Sequence, residues 1–146
     1  MSLHAIDAED RATQLIQLTE RLTDRLAGET LAFEAHRPQD AAHGVAETQR
    51  LANLYRHEAA RVKAQPSLLA GAASQTRARL LRATEAFEAV LARHGRAVAA
   101  AKQVSEGLVR AIAEEVARTR TAVSGYGATA RTAPASASAI ALNRRA

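Results

Sequence analysis

The sequence predicts an all-α protein: an elongated antiparallel three-helix bundle or coiled coil, with a long third helix and a flexible C-terminal tail. Three observations carry that prediction. Apolar residues recur at spacings of three and four over long stretches, and no strand-like alternation of apolar and polar residues occurs. The 146 residues include 37 alanines but only two Phe, two Tyr and no Trp, which suits long helices packed closely around a thin core. Three prolines, Pro38, Pro66 and Pro134, punctuate the chain, and each disfavours helix at the residue before it. Residues 1–124 therefore read as one helical domain, and residues 125–146 as a mobile, basic, Ala/Ser-rich tail.

The first helix is expected over about 7–35. Asp7 suits its N-cap, and Glu9 and Asp10 suit the positive end of its dipole. Leu15, Leu18, Leu22, Leu26 and Phe33 make one stripe, widened by Ile16 and Leu31, with Gly28 as a weak point. The second helix is expected over about 40–64, with Asp40 as its N-cap. Its stripe is Val45, Ala52, Tyr55, Ala59 and Val62, broadened by Leu51 and Leu54. After the linker "QPSLLAGAAS", Ser74 suits the cap of a third helix running to about Val123, which at 1.5 Å per residue is about 75 Å long. Its heptad-like positions are Leu80, Phe87, His94, Ala101 and Leu108, interleaved with Leu91, Val98, Ser105, Ile112 and Thr119. Gly95 and Gly107 are the places for a kink, and Gly125 suits the C-terminal stop.

Charge points away from several functions. The formal net charge is +5, yet residues 1–115 hold fifteen basic and fifteen acidic side chains. The whole excess lies in Arg118, Arg120, Arg131, Arg144 and Arg145, with no acid among them. Five scattered arginines with a single tyrosine, Tyr126, are a weak nucleic-acid footprint. No nucleic-acid partner is expected. No apolar run reaches the ~20 residues that span a bilayer, so membrane insertion is not expected. The opening "MSLHAIDAED" turns acidic at once, unlike a signal peptide, and the absence of cysteine suits the cytoplasm.

Nothing in the sequence makes a convincing catalytic or metal constellation, and neither an enzyme nor a cofactor is expected. "HEAAR", residues 57–61, misses the zinc-protease helix motif because Arg61 replaces the second histidine, and it reads instead as a solvated helix face. "GYGATA", residues 125–130, fits a loose dinucleotide pattern but lacks the strand–turn–helix setting that gives the pattern meaning. His94, on the apolar face of the third helix, reads as a core histidine. The third helix outruns the other two. Its last turns carry Leu108, Ile112, Val116 and Val123, for which the chain offers no obvious cover. An uncovered apolar stripe marks an interaction surface, readable by a partner helix through i, i+3, i+4 and i+7 contacts. Self-association through the same stripe is the alternative.

Three segments, "LTERLTDRLAGETLAFEAHRP" (18–38), "ETQRLANLYRHEAARVKAQPSLL" (47–69) and "VSEGLVRAIAEEV" leading to "SGYGATA", carry a family resemblance. Glu29, Leu51, Tyr55, Tyr126 and Gly127 are the residues that carry it. The chain resembles the flagellar type III export chaperones of the FlgN type, in the alphaproteobacterial branch labelled FlbY-like or flagellar basal-body protein. That resemblance implies a cytoplasmic three-helix chaperone that keeps hook–filament junction subunits unassembled before export. It also implies contact with export-gate components. It places the substrate contact on the C-terminal part of the last helix and the segment after it, which here means Leu108, Ile112, Val116, Val123 and Tyr126. The tail would then order on contact with the partner. The alternative function is a non-catalytic coiled-coil adaptor or self-associating structural protein.

Overall fold

The computed structural model describes the backbone of residues 2–130 and the side chains of residues 2–125. Helix α1 spans Ala8–Glu34, α2 Gln39–Ala42, α3 Val45–Ala64 and α4 Ser74–Ala130, with a 3-10 turn over Pro66–Leu69. The protein is all-α, with no strand among the described residues. The chain divides into two compact units, Met1–Lys102 and Gln103–Ala146.

Local chemistry sets the ends of α1. The Asp7 carboxylate accepts from the Asp10 N–H at 2.8 Å, and the Asp10 carboxylate accepts from the Ile6 N–H at 3.0 Å, so two amides at the helix start are satisfied by side chains. At the other end the Arg37 N–H donates to the Ala32 carbonyl and the His36 N–H to the Phe33 carbonyl. That is a Schellman stop, and His36 takes the left-handed position in it, with φ 57°.

The second helix differs from its expected form. Asp40 is not an N-cap. It lies inside the four-residue α2, which Pro38 precedes without a side-chain cap, and it pairs with Arg37 at 3.3 Å. The break before α3 falls at Gly44, where the Arg25 guanidinium donates to the Gly44 carbonyl at 2.7 Å. A Cβ at Gly44 would meet the far end of the Arg25 side chain, which would have to shift aside to admit it. Arg25 also bonds Thr48, whose hydroxyl donates to Glu29. Glu29 thus helps fasten α3 to α1.

Cross-helix pairs give the topology of the first unit. Arg11 pairs with Glu58 and Arg21 with Glu47, so α1 and α3 are antiparallel. Glu9 meets Thr76, Glu20 meets Arg79 and Glu34 meets Arg93, so α1 and the first part of α4 run parallel. The result is an up-down-up three-helix bundle. Its core joins Leu18, Leu22, Leu26, Leu51 and Phe87, with Tyr55 and Val90 packed against it. The Tyr55 and Phe87 rings are 4.7 Å apart between centroids.

The stripes predicted from sequence are shifted in places. Leu31 on α1 and Val45 on α3 are exposed, and Leu51 occupies the centre of α3's buried face. On α4 the buried apolar positions include Phe87 and Ala97, while Leu91 and Val98, expected on the same stripe, are exposed. His94 is a partly buried core histidine as expected: its ring meets Phe33 edge-on, and Nδ1 lies 3.1 Å from the Thr30 hydroxyl. Thr30 already donates to the Leu26 carbonyl, so His94 Nδ1–H is the donor to Thr30.

Helix α4 continues through Gly95, Gly107 and Gly125 to Ala130. Gly125 is helical rather than a stop. Residues 131–146, with the Ala/Ser run and "IALNRR", lie outside the described residues.

Candidate functional site

In the second unit, Leu108, Ile112, Val116 and Val123 are 60%, 54%, 46% and 68% exposed. For aliphatic side chains this is a high degree of exposure, and the four recur at spacings of four, four and seven along α4. Helical geometry places those spacings on one face. Val104 and Val109, outside the stripe expected from sequence, are exposed beside them. The period-four run Val104, Leu108, Ile112, Val116 was the signal that would have found Val104. Tyr126 lies in the helical backbone of α4, and its side chain is outside the described set. The stripe is bordered by charge: Glu115 and Arg118 pair at 3.2 Å across one turn, with both side chains mostly exposed.

The first unit holds a second apolar surface that the sequence did not reveal. A groove of about 440 Å³ runs between α3 and α4, floored by Leu22 and Leu26 and walled by Val45, Tyr55, Phe87 and Leu91. Its floor comes from α1, so it exists only once all three helices are packed. Burial, and after it the nearby Glu88 carboxylate, pushes the Tyr55 hydroxyl above its ordinary pKa.

The "HEAAR" segment departs from the solvated face expected of it. Glu58 is not on a solvated face but fully buried. It accepts from the Leu3 N–H at 2.9 Å, Arg11 Nη1 at 3.2 Å and Arg61 Nη1 at 3.3 Å. Arg61, in the place of the motif's second histidine, therefore serves as a counter-charge, and His57 points to solvent. The cluster ties the N-terminal segment to α1 and α3. Every polar atom of Glu58 is matched, which makes the cluster structural in character.

The fold and these surfaces define a class first: an all-helical bundle protein with an aliphatic stripe on its last helix. No family model matches the sequence, and no solved structure matches it. Among curated proteins, the chain is 56% identical to the flagellar basal-body protein FlbY of Caulobacter vibrioides over a 149-residue alignment that covers the whole of both chains. The chain belongs to the FlbY family of flagellar basal-body proteins. No helix among the described residues is long and apolar enough to cross a membrane.

Proposed function

We propose that this protein is a cytoplasmic flagellar export chaperone, which binds hook–filament junction subunits through the C-terminal part of α4 and keeps them unassembled before type III export. The observation that supports this most is the exposure of Leu108, Ile112, Val116 and Val123 on one helix face. Membership of a family whose curated member is named a flagellar basal-body protein supports a partner among flagellar components. The resemblance to FlgN-type chaperones narrows it to junction subunits, with export-gate components as a further contact. The work is stoichiometric binding without turnover, cofactor or nucleic acid. Such a stripe suits reversible capture, since its affinity comes from aliphatic burial offset by the cost of ordering the partner.

The test is size-exclusion chromatography with light scattering, mixing the protein with the junction subunits of its source bacterium. A one-to-one complex is expected. Replacing Ile112 and Val116 by Asp should weaken it at least about 100-fold, since burying each side chain contributes about 1.5 kcal/mol or more. Helicity by circular dichroism should be unchanged. Unfolding of the variant would instead make these residues core and remove the proposal. A stable homodimer through the same residues, with no junction complex, would favour the second reading, a self-associating adaptor.

A further inference from the structure

The apolar groove of the first unit is longer than the cavity over Leu22 and Leu26. Past Tyr55 it continues into a further cavity of about 250 Å³, lined by Leu15, Val62, Leu69 and Leu80. Tyr55 lines both cavities, so they form one open trough. Its α3 wall is Val45, Ala52, Tyr55, Ala59 and Val62, the stripe expected from sequence. Its α4 wall is Leu80, Thr84, Phe87, Leu91 and His94. Both walls follow the three-, four- and seven-residue steps of a coiled-coil seam. The seam is only partly covered. Val45 is 53% and Leu91 46% exposed, and Ala52, Tyr55, Val62 and Leu80 are half-buried. Helix α3 turns a neighbouring face, with Leu51 and Glu58, towards α1 instead.

Length and charge say what fits. The trough runs about 21 Å along α4, from Leu80 to His94, and four helical turns measure about 22 Å. Arg56 and Lys63 line its α3 edge, are exposed, and stand seven residues apart on one face, a rise of about 10.5 Å. Neither has a carboxylate partner among the described residues, and Arg56 donates to the neutral Asn53 side chain. Glu29, at one end of the trough, is already taken by the Thr48 hydroxyl. Glu88 stands near Tyr55 on the α4 side. The α3 edge is therefore basic, and it suits acids seven apart on the flank of an incoming helix. The chain itself does not supply them. Residues 116–146 contain no acid. The acids beside the exposed stripe of a second copy are Glu106, Glu114 and Glu115, and no two are seven apart. Glu106 and Glu114, eight apart, lie about 80° from each other round the helix, and Glu115 is paired with Arg118.

We propose that the α3–α4 trough receives one amphipathic helix of another protein, about four turns long, aliphatic on one face and acidic on the flank that meets Arg56 and Lys63. The incoming helix takes the fourth place in the bundle. Burial of its aliphatic face against Tyr55, Phe87 and Leu91 supplies the affinity. The charges set its direction and the choice of partner, since exposed ion pairs each contribute little to binding. This surface is separate from the stripe at 108–123, so the protein holds two helix-binding faces, one in each unit.

The probe is a fluorescein-labelled, alanine-based peptide of about 18 residues, with leucines at a and d positions and two glutamates seven apart on one flank. Fluorescence anisotropy with the full chain should give a Kd on the order of 10 μM. A peptide with lysines in place of the glutamates should bind about tenfold more weakly. Arg56→Glu with Lys63→Glu should invert that preference, and because both side chains are exposed the variant keeps its fold. Leu91→Glu should abolish binding of either peptide at unchanged helicity. No binding by the parent chain, or equal binding of the two peptides, overturns the proposal. So does a homodimer in light scattering that Leu91→Glu dissolves, which would make a second copy the occupant. The chain carrying Ile112→Asp and Val116→Asp should bind the glutamate peptide as the parent does. Loss of binding there would seat the peptide on the α4 stripe and overturn the proposal too. That variant keeps the outcome distinct from the chaperone reading, which rests on the stripe alone.

Discussion

Glu58 shows how a single residue can hold two elements and a chain end. A fully buried carboxylate is costly unless its charge is matched. Here Arg11, with a side chain 11% exposed, and the more open Arg61 match it, and the Leu3 amide takes one remaining lone pair. Removing one member of a buried pair leaves the other charge uncompensated, so Glu58→Ala should destabilise the protein by about 3 kcal/mol or more in urea titration. The double variant Arg11→Met with Glu58→Leu should recover most of that loss, because it removes both charges and fills the space with apolar volume. If the double variant is as unstable as the single one, the cluster acts through its hydrogen bonds and not through charge pairing. The motif "HEAAR" was visible in the sequence, but its burial was not. An i, i+3 Glu–Arg pair on a helix looks the same whether it faces water or an arginine 47 residues earlier.

At the scale of elements, α1 is tied to α4 by carboxylates reaching across. Glu9 accepts from the Thr76 hydroxyl and from the Ala73 amide at the start of α4, and these bonds hold its pKa below the ordinary glutamate value. Glu34 receives both Nε and Nη2 of Arg93, at 2.8 and 2.6 Å, and that bidentate bond lowers its pKa too. A carboxylate with a lowered folded-state pKa contributes stability that is present above its unfolded pKa and lost as the pH falls through the folded-state value. The thermal midpoint should therefore fall on acidification below about pH 4, the ordinary carboxylate range. Glu9→Gln and Glu34→Gln should each melt lower at neutral pH but lose less on acidification, a comparison that scanning calorimetry settles. Parallel slopes for variant and parent would mean that these bonds do not form in solution. The existence and order of the main helices were legible from periodicity and proline spacing. The split between α2 and α3 was not, because it depends on Arg25 arriving from α1 to occupy the space beside Gly44. The helix runs past Gly125 to Ala130 because a glycine within a helix costs only about 1 kcal/mol, and Ala122 and Ala128, three residues to either side, favour helix.

For the whole molecule, the uneven distribution of apolar burial decides what each unit can do alone. Ile16, Leu22, Leu51, Phe87 and Ala97, which are buried, all lie within residues 1–102, as do the ion pairs that join the helices. Within 103–125 every described side chain is exposed. That contrast was half legible in the sequence. The aliphatic run at 108–123 follows from spacing alone, whereas the groove between α3 and α4 depends on how far the Tyr55–Phe87 pair holds two helices apart, which no single segment encodes. The contrast has a thermodynamic consequence. A chain ending at Lys102 should fold cooperatively, with a free energy of unfolding within about 1 kcal/mol of the full chain, since it loses only solvated helix. Residues 103–130 as a free peptide should be partly helical, through alanine propensity rather than packing, and their helicity should fade gradually on warming. Chemical denaturation of the truncated and full chains side by side makes the comparison. Equal stability would leave the aliphatic face of α4 unneeded for folding and free to meet a partner. A loss of several kcal/mol on truncation would mean that Leu108, Ile112 and Val116 are covered by the protein's own fold in solution, and the chaperone surface would then have to be sought in the α3–α4 groove instead.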